Sequence, residues 1–401
     1  MRPVRYICVL AALAAAAAFA HEHEGHAGDS PAAFMEHAYD LLEGRRAEEA
    51  LAFLQFGLDH YPLDRDLNLL YLEVLREEAL ELIAQPLYAE KLEHHDDEPI
   101  LLYAAGFLSD DDEESYELYK RAIGLDNNFA PAYVGTAEIQ ARRGDHAGTL
   151  NMLIRAHDAD PDYYPAYALE GELELALGNI DKGVRYLKRA VEGSRYAPAA
   201  RAALAGAYLE AGDAEAARDE YRRAIALSQD RGEYYLGLGR AQEELGEVAA
   251  ARLSYETAFA RAYGRLSIGV AARKAAGRLA FEEGDYVGAA EHVGWAVAFD
   301  EDDAELHAYL GELYLIVDRP AEAAAEFTWA ADLEPEEGRY WLKAGRSCAR
   351  ADLLEAAEEA LGKAVAALPP DEAAEAEREL AAVRARRAEE KTLEPESKPE
   401  E

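Results

Sequence analysis

Cysteine is almost absent from this chain of 401 residues. Only Cys8 and Cys348 are present, and Cys8 lies in an amino-terminal apolar run that we expect to be removed. The remaining chain then holds a single thiol, which excludes an intramolecular disulfide. We predict that Cys348 is simply a small buried apolar residue.

Long apolar runs are equally scarce. The run from Tyr6 to Phe19 follows two arginines and ends in Ala18-Phe19-Ala20, a small-x-small cleavage site. These features are typical of a cleavable secretory signal, and an uncleaved membrane anchor is the alternative. We therefore predict a periplasmic or secreted protein of the bacterial cell envelope, with no integral membrane segment after cleavage.

Positive charge is in short supply. The chain has 41 Lys and Arg residues against 80 Asp and Glu residues, a formal net charge of −39. Such a chain repels polyanions, so nucleic acid is excluded as a partner. Most of the acidic residues are expected on the solvated faces of helices.

Catalytic and cofactor-binding motifs are missing from the sequence. It contains no Gly-x-x-x-x-Gly-Lys-Ser/Thr loop, no Gly-x-Ser-x-Gly turn and no Cys-x-x-Cys pair. Gly237 and Gly239 begin a Gly-x-Gly, but no third glycine follows. We therefore predict a protein that is not an enzyme and has no cofactor.

What the chain has instead is a strict period. Alanine recurs every 34 residues, with one interval of 38 after Ala258. The alanines are Ala122, Ala156, Ala190, Ala224, Ala258, Ala296, Ala330 and Ala364. A turn residue (Gly144 to Asp352) and a small residue (Ala137 to Gly345) follow the same period. This pattern predicts a solenoid of like units, each of which needs its neighbours to bury its apolar face.

The spacing resembles that of the tetratricopeptide repeat. In one unit His307, Leu310, Gly311, Tyr314, Ala323, Phe327, Ala330 and Pro335 stand at the intervals of that family. The resemblance implies an all-α fold, a right-handed superhelical solenoid of about ten helix-turn-helix repeats. It also implies a scaffold that binds a protein or peptide in its concave groove without catalysing a reaction.

The domain boundaries follow from the regularity of the period. We predict a signal at 1–20, a His/Glu-rich disordered leader at 21–32, degenerate repeats at 33–129, a regular array at 130–370, a capping helix at 371–390 and a disordered acidic tail at 391–401. The second degenerate pair is predicted as Leu67–Ile83 and Pro86–Leu92, with a break before Pro86. The four residues added within Arg261–Gly269 are expected to lengthen a second helix or its loop.

By resemblance, the groove positions include those that follow the small residue of each first helix. They read Glu138, Glu172, Gly206, Arg240, Arg278, Glu312 and Arg346. The groove is thus predicted to be acidic at its amino end and basic at its carboxyl end. The candidate partner-binding residues are Arg240, Lys274, Arg278, Arg339, Arg346 and Arg350. They would hold an acidic peptide or a chain terminus through charge-assisted hydrogen bonds, unless the charges are merely scattered.

The histidine-rich leader offers a different function. If cleavage follows Ala20, His21 becomes the amino terminus and His23 the third residue. A free amine, two backbone amides and an imidazole could then enclose Cu(II) or Ni(II) in a square plane. The alternative to a binding scaffold is therefore a metal-handling envelope protein, and the competing interpretation of the leader is a polar segment without metal.

Overall fold

The computed structural model describes residues 30–262 and 265–393, with only the backbone for 391–393. Within these residues the chain forms 21 α-helices and no strand. They are α1 Pro31–Glu43, α2 Ala47–His60, α3 Arg65–Glu78, α4 Glu81–His94, α5 Pro99–Leu108, α6 Asp112–Leu125, α7 Ala130–Arg142, α8 His146–Ala159, α9 Tyr164–Ala176, α10 Ile180–Gly193, α11 Pro198–Glu210, α12 Ala214–Leu227, α13 Gly232–Glu244, α14 Val248–Ala260, α15 Leu266–Glu282, α16 Tyr286–Val297, α17 Ala304–Ile316, α18 Pro320–Leu333, α19 Gly338–Arg350, α20 Leu354–Ala367 and α21 Pro370–Leu393. The predicted signal, the histidines of the leader and most of the acidic tail lie outside the described residues.

Each helix packs mainly against its neighbours along the chain. The helices therefore form ten antiparallel pairs followed by the single helix α21, and the predicted all-α solenoid is confirmed. The chain divides into two compact units, with a boundary after Ser254 inside α14. We call the described residues before this boundary the first unit and those after it the second unit.

A residue in the left-handed conformation links the two helices of a pair. Five glycines at the predicted turn positions have φ between 73° and 81°, and Asp318 and Asp352 have φ of 59° and 63°. This conformation ends the first helix and turns the chain back, which explains the glycine period. In the first pair, Arg45 adopts it, with φ of 62°.

Small residues let the two helices of a pair approach closely. A Cβ atom added to Gly311 on α17 would lie 2.9 Å from the ring of Phe327 on α18. Phe327 and the neighbouring Ala330 have no exposed surface. The small residue and the alanine of the period thus belong to one packed core in this pair, because the ring fills the space that the missing side chain leaves.

Two predicted boundaries in the degenerate region differ from the structure. Helix α1 begins at Pro31, where the hydroxyl of Ser30 accepts a hydrogen bond from the backbone of Ala33, so the last two residues of the predicted leader are helical. The predicted break before Pro86 is wrong, because Pro86 lies inside α4. Ala84 and Tyr88 on either side of it are fully buried, and this packing outweighs one missing backbone hydrogen bond.

The four added residues extend a helix that the sequence did not single out. Helix α14, the second of its pair, has 13 residues, so it is not lengthened. The following first helix, α15, has 17 residues, where α13 and α17 have 13. The expectation of a longer second helix or loop is therefore wrong, and the insertion is one extra turn of α15.

The carboxyl-terminal helix α21 covers the last pair. Its Leu380 and Val383 are buried in the same cluster as Cys348, which confirms the prediction for this cysteine. Among the described residues, no helix combines the length and the apolar character that crossing a membrane requires.

Candidate functional site

A solvent-accessible cavity of about 850 Å³ lies in the first unit. Its lining residues belong to the first helices α1, α3, α5, α7, α9 and α11 and to the loops that lead into them. The cavity is therefore the concave side of the first six helix pairs. Glu138 and Glu172, two of the groove positions named from the period, line it.

Arg76 on α3 carries the central positive charge of the cavity. Its guanidinium lies 4.0 Å above the ring of Phe107, and its Nη1 is 3.5 Å from Oε1 of Glu138. Burial opposes the charge, but Glu138 and the nearby tyrosines Tyr103 and Tyr119 raise the pKa of Arg76 above its ordinary value. The side chain is still 43% accessible, so solvent reaches it through the cavity.

Several carboxyl groups surround this arginine. Burial raises the pKa of Glu73 to about 8, and Glu77 adds to the rise, although the nearby hydroxyl of Tyr164 opposes it. Glu172 lies at an exposed position of α9 that faces the cavity. Partial desolvation by the protein around it, with Glu138 as a second cause, raises the pKa of its carboxyl to about 7. Both groups therefore exchange protons near neutral pH.

The first unit closes on itself around the cavity. Arg195, in the loop between α10 and α11, reaches back to α1 and pairs with Glu36 at 2.8 Å, Asp40 at 2.9 Å and Glu43 at 2.6 Å. The adjacent Tyr196 is fully buried in the same core as residues of α1 and α3. These partners are between 152 and 159 residues apart in sequence, which is unlike the neighbour-only contacts of an open array.

A second set of contacts joins α13 to α3. The hydroxyl of Tyr234 donates a hydrogen bond of 2.8 Å to Glu77, and both residues are only 3% exposed. Arg231 donates to the backbone carbonyl of Arg76 at 3.1 Å. The helix that carries Glu73 and Arg76 is thereby fixed from the far end of the unit.

Most of the predicted partner-binding cations already have acidic neighbours. In the second unit Lys274 lies 2.5 Å from Asp303, Arg278 lies 3.1 Å from Glu282, and Arg350 lies 2.6 Å from Asp318. In the first unit Arg240 is exposed on α13 and is not among the residues that line the cavity.

The other two candidates contact the carboxyl-terminal helix. Arg339 lies 2.9 Å from Glu372, and Arg346 lies 2.7 Å from both Glu375 and Glu379 on α21. These carboxylates lower the positive potential that the sequence suggested for the last helix pairs. The role of the six cations in binding a partner stays a prediction.

The residues that define the cavity were not singled out from the sequence. The period is degenerate in the second helix pair, which contains Glu73 and Arg76. Tyr164, at the start of α9, faces this pair across the cavity. One signal was available, because Glu73, Arg76 and Glu77 interrupt the otherwise apolar stretch of α3 at helical spacing. Charges on an apolar helix face indicate a polar contact inside the fold.

Comparison with known proteins identifies the repeat. A family model described as tetratricopeptide repeat matches residues 174–238, which span α10–α12 and parts of α9 and α13. The matched segment is made of tetratricopeptide repeats. No curated protein matches the sequence.

One solved structure shares the fold over most of this chain. A chain of the APC/C hetero-tetramer Cut9–Hcn1 is similar with a TM-score of 0.53 and 18% identity, over 82% of this chain and 57% of that chain. This protein thus spans little more than half the length of that relative. Pseudomonas aeruginosa pilF is 18% identical over 56% of this chain and 99% of its own, with a TM-score of 0.46. At such identities the first of these likenesses establishes the fold alone.

Proposed function

We propose that this chain is a non-catalytic scaffold that binds a segment of another protein in the cavity of the first unit. The single observation that carries the proposal is the cavity itself, which is formed by six first helices and held closed by Arg195 and Tyr234. Concave surfaces of repeat arrays are their usual binding surfaces. The APC/C assembly named above, in which a similar chain is one component, agrees with a role in binding proteins.

The site of action that we propose is the bacterial cell envelope, after removal of residues 1–20. The support is the signal-like sequence with its Ala18-Phe19-Ala20 cleavage site. Fractionation of cells followed by amino-terminal sequencing tests this proposal. We expect a mature chain that begins at His21 in the envelope fraction, and a chain that begins at Met1 in the cytoplasm would contradict it.

Site-directed crosslinking tests the binding proposal. A photoreactive phenylalanine at Ala168, which lines the cavity, should crosslink in native cells to a protein that the same probe at Ala147 does not capture. Ala147 is exposed on α8 and does not line the cavity. The identified partner is then purified and its affinity measured against two variants of the full chain.

The two variants differ only in where the added ring points. Ala199→Trp places an indole in the cavity, and Ala147→Trp places one on the outer surface. We expect the first to weaken the complex at least tenfold and the second to leave it unchanged. Equal affinities for the two variants would show that the partner binds elsewhere.

A separate experiment tests the prediction that the basic residues named from the sequence bind an acidic segment. Such a segment would have to displace carboxylates that the cations already contact, such as Glu379 from Arg346. Joint charge reversal of Arg240, Arg278 and Arg346 should weaken binding of an acidic partner. An unchanged affinity would reject these residues as the binding site.

A further inference from the structure

The cavity of the first unit has an excess of negative charge. Seven carboxylates line it against three guanidinium groups. The three arginines already have partners, since Arg76 contacts Glu138, Arg65 lies 3.1 Å from Asp66, and Arg142 pairs with Asp112 outside the lining. The electrostatic environment of the cavity therefore disfavours an anionic ligand, because each arginine of the lining already contacts a carboxylate.

Two of the carboxylates, those of Glu73 and Glu172, form no ion pair within the described part of the chain. Glu172 faces the cavity without a hydrogen bond or ion pair to any residue in the described part of the chain. Glu73 has the neutral hydroxyl of Tyr164 near it, and a second carboxylate, that of Glu77, also lies nearby. Glu73 is only partly accessible to solvent, and Glu172 is exposed within the cavity. A carboxylate that is partly removed from water is more stable when a counter-ion or a proton accompanies it.

The protonation behaviour of these groups agrees with a site that takes a cation. Burial raises the pKa of Glu73 to about 8. The pKa of Glu172, which is exposed within the cavity, is raised to about 7 by the protein around it and by Glu138. The charged groups that face them are Glu77 and Arg76 for Glu73, and Glu138 and Arg76 for Glu172. At neutral pH each carboxyl thus holds a fraction of a proton that a bound cation would displace.

The shape and the rings of the cavity favour an organic cation. Tyr39, Tyr103, Tyr163 and Tyr164 line it, and the position of Arg76 over Phe107 at 4.0 Å shows that an aromatic face here accepts a cation. A volume of about 850 Å³ lies within the range of pockets for extended small ligands or side chains. Across residues 30–262 and 265–390, no group of three His, Cys, Asp or Glu side chains is placed to hold a metal ion.

We propose that the cavity binds a primary alkylammonium group, whose charge is taken by Glu172 and Glu73 and whose alkyl chain lies among the tyrosines. Two sources share this chemistry, the lysine side chains of a partner segment and a free polyamine. The proposal rests on the proposed function, since it names the chemistry of the segment that the scaffold would hold.

Calorimetry on the full chain at physiological salt tests the proposal with three probes. They are a pentalysine peptide, the same peptide with every lysine acetylated, and spermidine. We expect at least one of the two cationic probes to bind and the acetylated peptide not to bind. Titrations in phosphate and in Tris buffer should differ in heat, because binding of the cation releases protons from Glu73 and Glu172.

Three variants separate the cavity from non-specific attraction to an acidic protein. Glu172→Gln should weaken binding about tenfold, as expected for the loss of one charge-assisted contact. Ala199→Trp should abolish it by filling the cavity. Glu192→Gln, which removes an equal charge from an exposed position on α10 outside the cavity, should change it less than twofold.

Each outcome decides the proposal. Binding of pentalysine that depends on Glu172 assigns the site to a basic protein segment, and binding of spermidine alone assigns it to a free polyamine. Binding that responds equally to Glu172→Gln and Glu192→Gln, or no binding of either cation, overturns it. If the cations fail while Ala168 still crosslinks a partner, only this inference falls. If both fail, the proposed function falls as well.

Discussion

Replacement of Tyr234 by phenylalanine is the most direct test of the closed first unit. The change removes only the hydroxyl that donates to Glu77 across 2.8 Å. Both residues are 3% exposed, so water cannot easily replace the lost donor. A hydrogen bond to a charged group contributes about 1.5–3 kcal/mol. We therefore expect the local stability of α3 and α13 to fall by about 2 kcal/mol.

Hydrogen exchange followed by mass spectrometry on the full chain measures this loss. A decrease of about 2 kcal/mol corresponds to roughly thirty-fold faster exchange through local opening, because about 1.4 kcal/mol is a factor of ten. The faster exchange should appear in peptides from α3 and α13. Peptides from α17 and α18 should not change, since stability in repeat arrays is transmitted mainly between neighbours.

Tyr208→Phe provides the matched control. Tyr208 is half-buried on α11 and has Lys188 5.4 Å from its ring centre, and its hydroxyl makes no hydrogen bond with a residue that the structure describes. The same chemical change should there have little effect on exchange. If Tyr234→Phe behaves like Tyr208→Phe in α3, the contact does not hold the unit closed and the reasoning is refuted.

Three further predictions concern charge and packing. Hydrogen exchange measured over a range of pH, after correction for the intrinsic exchange rate, gives the local stability of α3. This stability should fall as the pH rises from 4.5 to about 8, because Glu73 binds a proton more tightly in the folded chain than in the unfolded chain. Glu73→Gln should flatten the profile. Phe327→Ala should lower the free energy of unfolding by about 3–5 kcal/mol in urea denaturation, whereas a loss under 1 kcal/mol would contradict the packing against Gly311. Arg195→Ala should speed exchange in α1 at low salt and less so at high salt, and a salt-independent effect would exclude its ion pairs as the cause.

The repeat was predictable because its determinants are local. The positive φ of Gly144 and of Asp318 requires a residue that tolerates it, and the close contact of Gly311 with Phe327 requires a missing side chain. Each requirement recurs once per unit, so the period shows in the sequence. The extra turn of α15 was harder to place from the sequence. Four added residues lengthen the interval between periodic positions by the same amount whether they belong to a loop or to either helix.

The cavity was not predictable because its determinants are not periodic. Arg195 pairs with Glu36, and Tyr234 with Glu77, across more than 150 residues, and no interval in the sequence relates these positions. The neutralisation of Arg346 could have been foreseen, since Glu379 follows it by 33 residues, about one repeat. Four of the six cations that predict a basic groove thus have a counter-ion in an adjacent repeat or in α21.

The closing contacts also determine the order in which the first unit can be completed. An array with contacts between neighbours alone can begin to fold at any pair and grow in either direction. Here α1 and α3 are made early, but their partners Arg195 and Tyr234 follow only after some 150 further residues. Contacts of such sequence separation form slowly, so the enclosure is the last part of the unit to assemble. A chain shortened to end before Arg195 would keep its helix pairs and lose the enclosed space.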